Sequence, residues 1–133
     1  MTTARVSDLP KKSRRPGSRS ADRLDPLAPS RVGYLADSFG KARLAELIGV
    51  SRSQPTRWIS GEEFPGPIAA PLLIDLEHVY ARARLIWGEQ AAQTWLTSQN
   101  AHLGGARPID ALKQAGAAGV LTALDAESWG GAA

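Results

Sequence analysis

Apolar residues recur at helical spacing from about residue 30 onward. Val32, Leu35, Ala36 and Phe39 fall at i, i+3, i+4 and i+7, one stripe of an amphipathic helix, with Ser30 as its expected N-cap. Gly40 separates this helix from a second over Lys41 to Ile48, which turns Leu44, Ala45, Leu47 and Ile48 inward. Gly49 follows at the point where a helix end favours a left-handed residue. Ser51 or Ser53 is placed to cap a third helix running to about Ser60, where Gly61 stops it. The glycine- and proline-rich run from Gly61 to Pro67 reads as a loop.

The longest periodic segment, Ala69 to Trp87, is predicted to bury Leu72, Leu76, Val79, Tyr80, Ala83 and either Ile86 or Trp87. Pro71 is compatible with it because it lies in the first turn. That stripe can be buried within one chain or across a two-fold interface. Gly88 ends the segment, and Glu89 to Leu96 forms a short helix that buries Ala92, Trp95 and Leu96. Ser98 to Arg107 reads as a loop around Gly104-Gly105. Pro108 then opens a helix to Ala115, Gly116 ends it, and a last helix over Ala118 to Asp125 presents Val120, Leu121 and Leu124. No useful stretch alternates with period two and β-branched residues are few, so the fold class is all-α.

Composition narrows the setting. At 133 residues, with 43% hydrophobic and 22% charged, the chain fits one domain or two very small ones. The absence of cysteine excludes a disulfide scaffold, thiolate-bound zinc and a thiol nucleophile, and fits a reducing cytoplasm. No apolar run approaches the roughly 20 residues of a membrane helix. The basic N-terminus lacks the apolar segment of a secretory signal. A soluble cytoplasmic protein is expected.

The net charge of +3 is unevenly placed. Residues 1–30 hold seven basic and three acidic groups, a balance of +4, which leaves −1 for the rest. Residues 1–29, with four prolines and almost no large apolar side chains, are expected to be a disordered basic tail. Such a tail is either a solubilising leader or an arm that follows a phosphate backbone or another acidic surface.

Lys41 to Ser60 carries the first functional pattern. Two helices crossing steeply through a short turn need a small residue at their approach, here Ala45, and positive φ in the turn, here Gly49. They also need apolar residues at set offsets, here Leu44, Ile48, Val50 and Trp58. This arrangement resembles the helix-turn-helix of Xre-type repressors, with Pro55 standing where an aliphatic residue is usual. The resemblance implies that Arg52, Ser53, Thr56, Arg57 and the flanking Gln54 face DNA bases, while Lys41 and Ser51 suit phosphate. The alternative is a helix-turn-helix kept only as a packing unit.

The second pattern is Trp95-Leu96, Asn100, Leu103-Gly104-Gly105, Pro108-Ile109-Asp110, Leu112, Gly116 and Val120-Leu121. Physically it describes a compact helical subdomain. The ordered set resembles the C-terminal toxin-binding domain of Xre/MbcA/ParS antitoxins, in which it likewise follows an Xre-like helix-turn-helix. The resemblance implies a chain that catalyses nothing and needs no cofactor. Its implied partner is a RES-domain toxin, which consumes NAD or uses it for ADP-ribosylation. The antitoxin covers the toxin's active-site entrance, and the complex binds operator DNA to repress its own operon. Carried onto this chain, the toxin-facing residues are Leu103, Gly104, Gly105, Arg107, Pro108, Ile109 and Asp110, with Trp129 in the final segment. Trp129 reads as lying in a flexible, glycine-flanked tail, where it is either lightly packed or an anchor for a partner. The predicted organisation is a tail over 1–29, a helix-turn-helix over 30–66, a toxin-binding domain over 67–125 and a flexible tail over 126–133. Helix-turn-helix proteins usually bind as dimers, so self-association is expected.

Catalytic readings are weaker. The two histidines are His78, inside the long helix, and His102, in a loop with Ser98 and Asp110 nearby in sequence. No strained nucleophile turn accompanies them. Glu62-Glu63 reads as a solvated turn, Gly104-Gly105 lacks the spacing of a phosphate loop, and metal ligands are lacking. Two rivals remain: a stand-alone transcriptional regulator without a toxin, and a protein-binding module with a degenerate helix-turn-helix.

Overall fold

A computed structural model describes residues 24–132, and every regular element among them is helical. The elements are α1 (Ala28–Phe39), α2 (Lys41–Ile48), α3 (Gln54–Ser60), α4 (Ala69–Trp87), α5 (Glu89–Leu96), a 3₁₀ turn (Ala101–Leu103), α6 (Pro108–Ala115) and α7 (Ala118–Ala132). None of these helices is long and apolar enough to cross a membrane. Most of the expected basic tail, residues 1–23, lies outside the described residues.

The start of α1 differs from expectation. Ser30 is not its cap; it already lies inside the helix, whose first turn carries Pro29. Asp25 starts the element instead. Its carboxylate accepts from the Leu27 N–H at 3.0 Å, and its carbonyl accepts from the Ala28 N–H at 3.0 Å. Residues 24–29 therefore do not belong to a tail: Ala28 is buried, and Arg31 binds Asp25 on one side and Glu77 of α4 on the other.

α4 is the axis of the molecule. Its 19 residues span roughly 28 Å, and it packs against α1, α2, α5, α6 and α7. It buries Leu72, Leu73, Leu76, Val79, Tyr80 and Ala83. Leu76 and Tyr80 are thus enclosed within one chain. Leu73 joins the expected stripe because it sits one turn before Leu76. Trp87 is the partly buried member at the far end, while Ile86 is exposed. Tyr80 packs against Phe39, ring centroids 4.8 Å apart, and against Tyr34 at 6.1 Å. A single apolar cluster runs from Val32 through Leu44, Trp58 and Leu76 to Ile109 and Leu124. The helix-turn-helix segment and the C-terminal helices therefore share one core.

The last helix is longer than the sequence pattern predicts. α7 continues through residues 126–132, where a flexible tail is expected. Its inner face carries Val120, Ala123 and Leu124, and Glu127 is fixed one turn further on by Asn100. Gly130 and Gly131, each costing a helix roughly 1 kcal/mol relative to alanine, fall in its last turn.

Candidate DNA-facing and partner-facing surfaces

The turn between α2 and α3 is built around one carbonyl. The N–H groups of Gly49 and Val50 both donate to the Ala45 oxygen, at 2.8 and 3.0 Å, which Gly49 permits by adopting φ 81° and ψ 38°. A side chain at that left-handed position would be strained. α3 then buries Pro55 and Trp58, which fixes the opposite edge of the helix outward. Proline at position 55 is accommodated because it lies in the first turn.

Lys41, Ser51, Arg52, Ser53 and Thr56 are all exposed, and Gln54 is half-buried. Among the described residues, no carboxylate pairs with Lys41 or Arg52. Neither serine caps α3. Ser53 takes the N-cap position with helical dihedrals, and its hydroxyl makes no cap bond but accepts from Arg57 Nη1 at 2.9 Å.

Arg57 is the residue whose surroundings depart furthest from expectation. Its Nη2 donates to Gln54 Oε1 at 2.5 Å, and its Nε lies 3.2 Å from Glu63 Oε2. The last contact is an ion pair by distance rather than an aligned hydrogen bond, for Nε has no geometrically valid acceptor. Glu63 is brought back by its own N–H, which donates to the Arg57 carbonyl at 3.2 Å. The guanidinium that the sequence places at a base edge is therefore held along its own helix. Glu63 is part of this site, not merely a solvated turn residue.

The C-terminal surface is organised by Asn100, the one buried polar residue among those described. Its Oδ1 accepts from the His102 N–H at 2.9 Å, and its Nδ2 donates to Glu127 Oε2 at 2.5 Å. Its backbone closes the loop: the N–H donates to the Ala106 carbonyl, and the carbonyl accepts from Leu103 and Gly105. Gly104 and Gly105, at φ 67° and 91°, turn the chain on the solvent side. One side chain thus shapes the Ala101–Ala106 loop and clips it to α7.

The expected toxin-facing residues separate by burial. Gly104, Gly105 and Arg107 are exposed, while Leu103 and Asp110 are half-buried. Arg107 grips Asp110 through two hydrogen bonds, at 2.7 and 3.0 Å, and this contact holds the Asp110 carboxyl below its ordinary range. Pro108 and Ile109 are buried, so they support the loop from beneath. Trp129 stands on α7, two residues beyond the Asn100–Glu127 clip, and is 79% exposed. It is neither packed on its own domain nor in an irregular tail.

An open groove of about 740 Å³ is lined by Trp87, Gln90, Ala91, Thr94, Trp95 and Glu127. The two indoles lie 5.6 Å apart, tilted by 47°. Trp95 is only half-buried, yet its Nε1 is enclosed without an acceptor. The groove could not be read from the sequence because its walls come from three helices.

Of the residues near His102 in sequence, Ser98 and Asp110 have their side chains engaged elsewhere. The Ser98 hydroxyl donates to the Thr94 carbonyl at 2.6 Å, and Asp110 is bound by Arg107. Among the described residues, no group of three His, Cys, Asp or Glu side chains is placed to hold a metal.

Residues 82–130 match the family described as the antitoxin Xre/MbcA/ParS C-terminal toxin-binding domain. The matched stretch runs from the last turns of α4 through α5, the Asn100 loop and α6 into α7. Among solved structures, a chain of the crystal structure of the M. tuberculosis MbcT–MbcA toxin–antitoxin complex shares the fold, with a TM-score of 0.65 at 23% identity. The superposition covers 80% of this chain and 97% of that one. No curated protein matches the sequence.

Proposed function

We propose that this chain is the antitoxin of a toxin–antitoxin pair. It binds a RES-domain toxin through its C-terminal half and covers the entrance to that enzyme's NAD site. It also binds operator DNA as a pair of copies through α2 and α3. The observation that carries the first part is the position of the exposed Trp129. It projects from the helix to which Asn100 clips the glycine loop, within a stretch that matches a toxin-binding domain family. A tryptophan has only two side-chain torsions to order on docking, and such residues dominate many interfaces. Gly104, Gly105, Arg107 and Asp110 extend the same contact surface, with Leu103 at its edge.

Co-expression with the product of the adjacent reading frame tests this reading. A RES-type partner should co-purify with the chain and lose its NAD turnover. Trp129→Ala removes no core contact and should weaken neutralisation by about 30-fold, the effect of losing a hot spot of about 2 kcal/mol. Full protection by that variant would remove Trp129 from the interface.

The DNA part rests on the exposed row of Lys41, Ser51, Arg52, Ser53 and Thr56. Arg52, at the mouth of α3, pairs with no carboxylate among the described residues, and Lys41 and Ser51 suit phosphate. In mobility-shift assays on the upstream DNA, affinity should fall steeply with salt, and Arg52→Ala should reduce it about tenfold or more. Binding indifferent to salt would count against phosphate contact.

A further inference from the structure

α4 carries two opposite stripes, of which the outer has two exposed large apolar side chains, Ile74 and Leu85, around the polar His78. One is buried in the core; the other consists of Pro71, Ile74, His78, Ala81 and Leu85, spaced three, four, three and four residues apart. This is the a/d repeat of a two-helix seam. Leu85 is 87% exposed and Ile74 is 41% exposed, with His78 and Pro71 also open to solvent. The inner stripe, with Leu72, Leu76, Val79 and Ala83, satisfies the core by itself, so the fold does not require the outer one.

Charge decides what covers it. The positions beside the seam are Asp75 and Glu77 in the first half of the helix, Arg82 and Arg84 in the second. A parallel copy would set Ile74 against Ile74 and His78 against His78, and would bring like charges to the same height. An antiparallel copy sets Ile74 against Leu85 and the large His78 against the small Ala81. It also brings Asp75 toward Arg82 and Glu77 toward Arg84. We infer that the outer stripe of α4 is a self-complementary surface on which a second copy of this chain packs antiparallel, about a two-fold axis between His78 and Ala81.

This deepens the pairing of copies proposed above and depends on no toxin or DNA contact. The intramolecular roles of these charges leave room for it. Arg82 touches Asp125 at 2.9 Å on an exposed edge, Glu77 holds Arg31 at the flank, and Arg84 lies over the Tyr34 ring, its Nη1 3.4 Å from the Tyr34 hydroxyl. The core lies on the opposite side of the helix.

Sedimentation of the full chain over a range of concentrations tests the inference. Wild type should approach twice the 14.1 kDa chain mass. Leu85→Glu and Ile74→Glu should each give the monomer with unchanged helicity by circular dichroism. Asp75→Arg should weaken association by about tenfold, and the double reversal Asp75→Arg with Arg82→Asp should restore it. A wild-type monomer at all concentrations overturns the proposal, as does a dimer that Leu85→Glu leaves intact. A double reversal no tighter than the single one overturns the antiparallel arrangement. Toxin capture by the monomeric Leu85→Glu variant is measured alongside. If that variant stays dimeric but loses the toxin, the stripe belongs to the toxin; if it is monomeric and still captures toxin, the two surfaces are separate.

Discussion

The two halves of this molecule use polar side chains in opposite ways. Around α3, the expected reading residue Arg57 is engaged by Ser53, Gln54 and Glu63, so the polar groups bind one another. Around α7, the buried Asn100 takes up the polar bonds of its loop and leaves Trp129 to solvent. The first surface must break contacts before Arg57 can engage a ligand, whereas the second offers its large side chain already mounted. The C-terminal surface is therefore the better prepared for tight protein contact, and the helix-turn-helix presents chiefly Lys41 and Arg52, which pair with no carboxylate among the described residues.

A shared core limits how independent the halves can be. Trp58 belongs to the helix-turn-helix yet lies in the same apolar cluster as Leu76 and Leu124. Trp58→Ala should cost about 3–5 kcal/mol, the largest effect expected here. Thermal unfolding followed by signals from both halves should remain a single transition at a lower temperature. Two separated transitions would show that the halves fold as distinct units.

The pattern of apolar residues was sufficient for α2, α4, α5 and α6, whose bounds agree with expectation. In each, a glycine with positive φ stops a strongly periodic stripe or opens the next one. Capping was less legible. Ser30 and Ser53 have the right chemistry for caps, but Asp25 starts α1, and Arg57 occupies the Ser53 hydroxyl. The end of α7 was hidden for a related reason. Gly130 and Gly131 read locally as a break, whereas the clip that sustains the helix comes from Asn100, 27 residues before Glu127. The candidate site followed the same division. Exposed positions of α3 were legible from helical geometry, while the Arg57–Glu63 contact and the tryptophan groove needed the fold.

The Asn100 clip can be broken directly. Asn100→Ala leaves the half-buried Glu127 carboxylate and the His102 N–H without their partner, at a cost of about 1 kcal/mol. Amide exchange in residues 126–132 should accelerate more than in α2 or α3. Equal acceleration in both halves would mean that Asn100 supports the whole fold rather than its C-terminal end.

Acid should act first at the start of α1. The hydrogen bond from Arg31 holds the Asp25 carboxyl below its ordinary range, and both side chains are largely shielded from solvent. A depressed carboxyl stabilises the fold above its unfolded pKa, near 4, and that contribution is lost as pH falls through the lower folded value. Stability should fall as pH drops below about 4, and Asp25→Asn should flatten the dependence. Asp110 shifts in the same direction through Arg107, but its exposure makes the contribution smaller.

The smallest effect sharpens the contrast between the halves most. If Glu63 restrains Arg57, Glu63→Gln removes the ion pair while keeping the side chain's shape. An ion pair this exposed contributes at most about 1 kcal/mol, so stability should hardly change. The released guanidinium can then turn outward from α3, and a negative charge beside the row proposed to face DNA is gone as well. Affinity for the upstream DNA should rise several-fold, with a salt dependence steeper by about one phosphate contact. Toxin capture through α7 should be unaffected. If Glu63→Gln leaves DNA affinity unchanged while Arg52→Ala weakens it, Arg57 serves the packing of α3, and Arg52 is the cation that engages DNA.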